Sequence, residues 1–525
     1  MSGRVVVISP APTGNGDLHL GHLAGPFLAA DVYTRYARAT GTEVLFGTGI
    51  QDTSTYVVTT ARRLGITPGE LVARSQQQVD KSLTAMGIEI DGYSGDEQRF
   101  TDWVREFMTR LHDAGRLVPR TVTLPYVPRT GEYLVDGFVS GGCPHCLAEG
   151  SAGLCETCGH PVAAGDLLDP RSTLDPAEPL ELREATVMVL PLEDYRQQLL
   201  DYFDRHAAAM RPHMAQTVAD LLARPLPDFQ VSYPISWGIP APFPETPGQV
   251  INPNAETMAW SIYTTTLSAE QRGQALGGAP AGPSAEEDAL WLTGAGSKVV
   301  YFLGFDNTYP FAVAGLAQLL ACDGRYTLPE YFVTNEFYEL EYEKFSTSRG
   351  HVIGSEELVA ELPRDLVRFH LASTSPEFQR SDFSRAALDK VTGTRLVRPW
   401  NRIADRVDEL AAQSAGQGDL PVSDRSRAVA AQIAERFAAA YELPRFSLTR
   451  AAETLGAQLS RLAGWEPAPE QAGDYLHQLD VVLRCAAPIL VDLAEEVLPD
   501  RGIATGVSAA LITPRRLPRL TGGGG

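Results

Sequence analysis

The chain has 525 residues, 44% apolar and 21% charged, the composition of a globular protein of roughly three to five domains, which excludes general disorder. With 44 basic against 65 acidic residues the net charge is −21, so the chain as a whole is no counterion-releasing nucleic-acid binder, although a local basic groove stays open. The N-terminus MSGRVVVISP lacks the apolar stretch of a signal peptide, and no uninterrupted apolar run reaches the roughly 18 residues of a membrane span; a soluble, cytoplasmic protein is the expectation.

In chain order, Val5 to Ser9 is a β-branched run stopped by Pro10, followed by a Gly- and Asn-containing turn and an apolar-periodic stretch from Leu18 to Ala37. A second unit follows: strand-like Glu43 to Phe46, a polar loop Gly47 to Thr55, and a helix from Tyr56 to Leu64. Repeated strand–helix units predict a parallel sheet whose site lies at the carboxyl ends of its strands. From about Arg116 short alternating strands appear (Thr121 to Val127, Glu132 to Val139), then clustered cysteines, which reads as an insertion. The strand–helix pattern resumes with Lys298 to Leu303 and Phe311 to Ala321, while Ser268 to Gly296 reads as a long exposed loop. From Ser384 to Pro499 the chain is amphipathic helix, including Ser423 to Tyr441 and Tyr475 to Leu498, ahead of a flexible Gly522 to Gly525. The expected division is 1–115 and 251–330 for the two halves of a split sheet domain, 116–250 for the insertion, 331–383 for a following region, and 384–525 for a helical bundle with its glycine tail.

Three constellations carry chemistry. Pro12 to His22 places His19 and His22 three residues apart at a helix start, beside backbone amides suited to phosphate oxygens; alone, this also reads as a polar helix cap. Lys344 to Gly350 sets Lys344 and Arg349 around Ser346, Thr347 and Ser348, a loop suited to polyphosphate and, alone, an ordinary solvated turn. Cys143, Cys146, Cys155 and Cys158 form two C-x-x-C pairs that fit a closed, structural zinc site, with a redox pair as the rival.

His19 to His22 and Lys344 to Ser348 match the HIGH and KMSKS signatures of class I aminoacyl-tRNA synthetases. The chain resembles the methionyl-tRNA synthetases within that class over nearly its full length, through Gly65-Ile66-Thr67-Pro68, Tyr126 to Cys146, Asp169-Pro170-Arg171-Ser172 and Trp237-Gly238-Ile239-Pro240. The resemblance implies an α/β fold: a split Rossmann (HUP-type) parallel sheet, an inserted zinc-knuckle connective domain, a stem-contact-like region and a C-terminal α-helical bundle like an anticodon-binding domain. It implies adenylation, in which an amino-acid carboxylate attacks the α-phosphate of ATP and magnesium accompanies the nucleotide. It assigns His19, His22 and Lys344 to catalysis and Asn15, Gly21, Gly304, Asp306, Ser346, Ser348 and Arg349 to ATP. The amino-acid pocket would comprise Ala11, Thr13, Gln51, Asp52, Trp260, Tyr263, Asn307 and Phe311.

The same resemblance marks departures. Thr347 stands where the loop signature has its second lysine, and Gln51 where the family's ammonium-binding aspartate stands, unless Asp52 takes that role. Tyr263 and Phe311, in place of a pocket Ala and His, are expected to plug the thioether slot, so that a smaller or more polar amino acid is activated. The helix that reads the anticodon in the family is expected to be interrupted at Pro399, with Asp405 four residues after Asn401; Trp400 and Trp465 read as packing residues. The expected activity is therefore tRNA-independent: a small amino acid, glycine by analogy, passed to an N-hydroxyamine such as N6-hydroxylysine on the way to a hydrazine, with a cupin partner completing N–N bond formation. Two alternatives stand beside it: a methionine–tRNA ligase, or an inactive regulatory paralogue.

Overall fold

The structure is a computed structural model that describes residues 3–95, 97–275, 287–345, 352–413 and 418–522, with only the backbone of 274, 275 and 344. Five parallel strands form the central sheet: β1 (Arg4–Ile8), β2 (Val44–Gly49), β3 (Gly92–Ser94), β4 (Ser297–Gly304) and β5 (Tyr331–Asn335), in the order β3-β2-β1-β4-β5. The register runs Val5↔Val44 and Val7↔Phe46 on one side of β1, and Val6↔Val299 and Ile8↔Tyr301 on the other. A β-branched run without polar alternation suits a parallel sheet because both of its faces are covered. Val5 and Val7 join the core made with the helix Leu28–Ala39 and the C-terminal helices, whereas Val6 and Ile8 join the core on the opposite face. β3 and β4 are neighbours in this sheet's chain order but about 200 residues apart in sequence, so the sheet is split by an insertion.

The helix Thr257–Ala275 returns from the insertion and lies on β2 and β3. It occupies the first part of the stretch expected to be an exposed loop. Its Ser261, Thr265 and Ser268 hydroxyls donate to carbonyls four residues back, which hides their polarity inside the helix. Close approach explains the facing glycines: a Cβ at Gly47 would stand 2.5 Å from Thr264 Cγ2, and one at Gly92 would stand 2.5 Å from the Ser268 backbone.

Within the insertion, the strands Val118–Val127 and Glu181–Pro191 pair antiparallel over nine residues. The strand expected from Glu132 to Val139 is broken: Glu132–Tyr133 pairs briefly, and Asp136–Phe138 is a 3-10 turn with Asp136 at φ 47°. The Asp136 carboxylate accepts from Thr55 Oγ1 at 2.6 Å, and that tie turns the chain away from the ladder.

The C-terminal helices pack on the sheet domain through a buried charge. Arg368 donates to Asp31 Oδ2 at 2.6 Å, to Met86 O at 2.8 Å, and to the carbonyls of Pro488 and Ile489 at 2.7 and 3.0 Å. Those last acceptors explain why the helix expected from Tyr475 to Leu498 stops at Ala486 and restarts at Val491: the interruption turns two carbonyls toward the guanidinium. At Pro399 the outcome is the reverse. A π turn, Gly393–Val397, leads directly into the helix Arg398–Gln413, so the helical run passes the proline unbroken. Among the described residues no helix is long and apolar enough to cross a membrane.

Candidate active site

The loop after β1 is held from both ends. Gly14 N donates to Gln51 O and Gln51 N to Pro12 O, both at 2.9 Å, with Thr13 and Gln51 paired as a parallel bridge; this lays the loop against the one that follows β2. Asp17, one residue before the apolar stretch, accepts from Leu18 N at 2.7 Å and from Ser82 Oγ at 2.8 Å. Burial raises its carboxyl above the usual range, and the Ser82 bond partly offsets this.

His19 then caps the short helix Leu20–His22. Its Nδ1 accepts from Gly21 N at 3.1 Å, and His22 Nδ1 accepts from His19 N at 3.3 Å, a reciprocal box built from two imidazoles. With Nδ1 accepting in each ring, the neutral tautomer carries its proton on Nε2, a donor suited to a phosphate oxygen. The rings stack at 3.9 Å, and a Cβ at Gly21 would come within 2.9 Å of His19. Phe345 lies flat on His19, centroids 4.8 Å apart and planes 3° apart. Since Phe345 directly follows Lys344, the two signature segments meet across the crevice. The Lys344 side chain and Ser346, Thr347, Ser348 and Arg349 lie outside the described residues, so their expected contacts with phosphate are not placed.

The loop after β4 supplies the other wall. Helical connections leave β1 and β4 toward opposite edges of the sheet, so their carboxyl ends form its switch point, where open α/β sheets bind ligands. A Cβ on Gly304 would stand 2.5 Å from Asp306 Oδ1, and Asn307 Nδ2 donates to that oxygen at 3.3 Å. Phe305 between them is buried; His213 stacks on it at 3.6 Å.

The residues expected to form the amino-acid pocket divide. Ala11 and Phe311 belong to one apolar cluster, with Phe311 5.5 Å from the Tyr301 ring. Gln51 Nε2 donates to Pro253 O at 3.3 Å, and Asp52 follows it in the same loop. Trp260 and Tyr263 sit one turn into the helix Thr257–Ala275. The Trp260 indole donates to Ser94 Oγ at 2.7 Å, and the Tyr263 hydroxyl donates to Glu97 with its ring against Phe100. Tyr263 is fully buried and directed at the start of the helix Gln98–Asp113, so it packs on Phe100 and bonds to Glu97 rather than to Ala11, Thr13 or Gln51.

Glu256, which sequence reasoning missed, stands beside the crevice loop: its Oε2 accepts from Thr53 Oγ1 at 2.8 Å, and its Oε1 is buried with no partner among the described residues. Desolvation pushes this carboxyl well above its ordinary range, with Asp52 adding to the rise. The signal was an acid on the last residue before a helix, four positions ahead of the tryptophan on which the family match had been anchored.

Residues 5–408 match the family described as tRNA synthetases class I (M). The chain belongs to this family of class I aminoacyl-tRNA synthetases. It is 29% identical to a methionine–tRNA ligase of Bacteroides fragilis over 80% of this chain and 60% of the relative, and 31% identical to one of Chlorobaculum tepidum over 79% and 59%. The chain thus spans about 60% of the length of these relatives. A solved methionyl-tRNA synthetase of Mycobacterium tuberculosis in complex with methionyl-adenylate shares the fold over 99% of both chains, with a TM-score of 0.74 at 17% identity. This chain's parallel sheet, four-cysteine knuckle and helical C-terminal region are those expected from its motifs.

The four cysteine sulfurs lie within 4.8 Å of one another, with Cys143 to Cys158 at 3.9 Å and Cys146 to Cys155 at 3.6 Å. A tetrahedral zinc with bonds of about 2.3 Å sets its sulfurs roughly 3.8 Å apart, whereas a disulfide needs roughly 2.05 Å. The donor set fits zinc with all four positions filled by protein. The knuckle also reaches the synthetase crevice, because a Cβ on Gly159 would stand 2.9 Å from the Phe305 ring, next to Asp306.

In the bundle, Trp400 is fully buried and donates to Pro518 O at 2.8 Å. Asn401 donates to Leu520 O at 2.9 Å and accepts from Leu520 N at 3.0 Å, and Arg519 pairs with Asp405 and with Asp408. Trp465 packs on Tyr475 at 5.3 Å. Asn401 and Trp400 thus hold this chain's own C-terminal segment.

Proposed function

We propose that this crevice activates an amino acid smaller or more polar than methionine, with glycine as the first case to test, and passes the acyl group to a small N-hydroxyamine such as N6-hydroxylysine without tRNA. The single observation that carries the activation step is the stack of Phe345 on His19, which joins both signature segments at the switch point of the sheet. There the Nε2 donors of His19 and His22 would meet the triphosphate, Asp306 the ribose, and Lys344, Ser346, Ser348 and Arg349 the departing pyrophosphate. Magnesium enters with ATP as part of the substrate. The amino-acid carboxylate attacks the α-phosphorus, and pyrophosphate leaves with the electron pair of the broken P–O bond.

A polar substrate is supported by Thr13, Gln51 and Asn307 along the expected pocket, with Asp52 and Glu256 as the acids nearest to it. Independence from tRNA is supported by the occupied Asn401. A hydrazine product and a cupin, as a separate partner or beyond the glycine tail, extend this reading by chemical analogy. The second reading, methionine activation and transfer to tRNA, is favoured by the relatives, which bear the name methionine–tRNA ligase, and by Tyr263, whose ring is engaged in the core.

Pyrophosphate exchange across the amino acids separates these readings. Exchange with glycine or another small amino acid and no tRNA charging supports the first; exchange confined to methionine, with charging, replaces it with the second; no exchange with any amino acid leaves the inactive paralogue.

A further inference from the structure

A cavity of 320 Å³ lies between the cysteine knuckle and the sheet domain, apart from the nucleotide loops. That volume is at the lower end of small-molecule sites, roughly 300–1,000 Å³. Its sheet-domain wall is made by Asn252 and Asn254, on either side of the Pro253 carbonyl that holds Gln51, and by Tyr309 and Pro310, between Asn307 and Phe311. It therefore backs directly onto the segments that would hold the activated amino acid.

Two features indicate what it takes. Tyr233 and Tyr309 line it, each only 5% exposed, and among the described residues neither hydroxyl has a hydrogen-bond partner within the protein. A buried hydroxyl left unmatched is costly unless a ligand or water completes it. The charge is also one-sided: Asp136, Asp166, Asp220 and Asp228 face Arg224 alone among the arginines and lysines of the lining, and only Asp228 is paired, with Arg120. Asp136 is buried, and burial raises its carboxyl above the usual range against the bond from Thr55, so a neighbouring ammonium would favour its charged form and be held by it. The phosphodiesters of a tRNA end would be repelled by the same wall.

We propose that this cavity holds the acyl acceptor, a small molecule bearing a protonated amine that faces Asp136 and polar groups that bond to Tyr233 and Tyr309. This rests on the adenylating reading of the crevice. The acceptor's hydroxyl oxygen bonds to the acyl carbon, the bond from that carbon to the phosphate oxygen breaks with its electron pair leaving on AMP, and the hydroxyl proton passes to water.

Calorimetry with N6-hydroxylysine on the full chain tests it, with succinate as an anion of similar size. Saturable binding of the amine is expected, weakened about tenfold in Tyr233→Phe/Tyr309→Phe and in Asp136→Asn, with thermal midpoints retained. Asparagine still accepts from Thr55, so the second variant removes charge while keeping the turn. Equal affinity in wild type and both variants, succinate binding as tightly as the amine, or no amine binding overturns the proposal. Pyrophosphate exchange is read on the same preparation: its absence defeats the adenylating reading, whereas exchange without amine binding defeats the cavity assignment alone.

Discussion

The crevice and the helical bundle both bind their polar groups to backbone, with opposite consequences. In the crevice, His19 and His22 use Nδ1 on the backbone of their own turn, which fixes the rings while directing Nε2 elsewhere. In the bundle, both ends of the Asn401 amide are taken by Leu520, and Trp400 is sealed under Pro518. Bonding of the first kind orients a group for a ligand; bonding of the second kind replaces one. The difference teaches that the same kind of bond can aim a side chain out of its own turn in one region and seal a side chain under the chain's own segment in another.

The largest expected effect breaks the crevice side. His19→Ala with His22→Ala should lower pyrophosphate exchange by about a thousandfold or more, since each removes a donor aimed at transition-state charge, and the thermal midpoint should barely move. Exchange at the wild-type rate would remove both histidines from the mechanism.

Next comes the knuckle. Cys155→Ser should lose the bound zinc, read as metal per chain, and lower the melting temperature by several degrees, since metal binding and local folding are one equilibrium. Because Gly159 presses on Phe305, the same variant should also raise the KM for ATP. Stability loss with an unchanged KM would confine the knuckle to a scaffold role.

Glu256→Gln sharpens the pocket. Burial pushes the carboxyl well above its ordinary range, so the amide should fit with little loss of stability, while the KM for the amino acid rises about tenfold if Oε1 meets the substrate. An unchanged KM would make Glu256 a loop anchor through Thr53 alone.

The bundle side has its own pH signature. His370 is fully buried, neither ring nitrogen has a partner among the described residues, and desolvation lowers its pKa to about 4. The unfolded chain takes up the proton near pH 6.5 and the folded chain only near 4, so stability is lost as pH falls between those values. Going from pH 7 to 5 should cost about 2 kcal/mol through this residue. Chemical denaturation at the two pH values, in wild type and His370→Phe, isolates the contribution; equal pH dependence in both would dismiss it.

Most of this frame could be read from sequence, because β1 and β4 are uninterrupted apolar runs and two signatures and two C-x-x-C pairs have fixed spacing. What stayed hidden has specific physical causes. Ser268 opens the stretch that reads as a loop, yet its hydroxyl is satisfied by Thr264 O inside a helix that needs small residues against Gly47 and Gly92. Tyr263 looked like a plug because its position was inferred by matching a tryptophan; its true surroundings depend on Glu97, 166 residues earlier in the chain. Pro399 looked like a break because no local pattern announces the π turn before it. The first two misses concern partners distant in sequence, which local periodicity does not encode.

The smallest expected effect decides whether the bundle comparison holds. The segment after Ile512 covers Asn401 through two hydrogen bonds to Leu520 and the Arg519 pairs with Asp405 and Asp408, and the arginine is partly exposed, so screening leaves those pairs little value. Asn401→Ala should therefore cost only about 1 kcal/mol. Removing residues 513–525 should cost somewhat more, because Trp400 loses its cover and its indole acceptor. Neither change should create affinity for tRNA in a filter-binding titration at low salt, since the uncovered face carries Asp405 and Asp408 where phosphate would approach. A truncated chain that gained saturable tRNA binding would mean that the segment masks a working reader, and the bundle would then resemble the crevice in being oriented for a ligand.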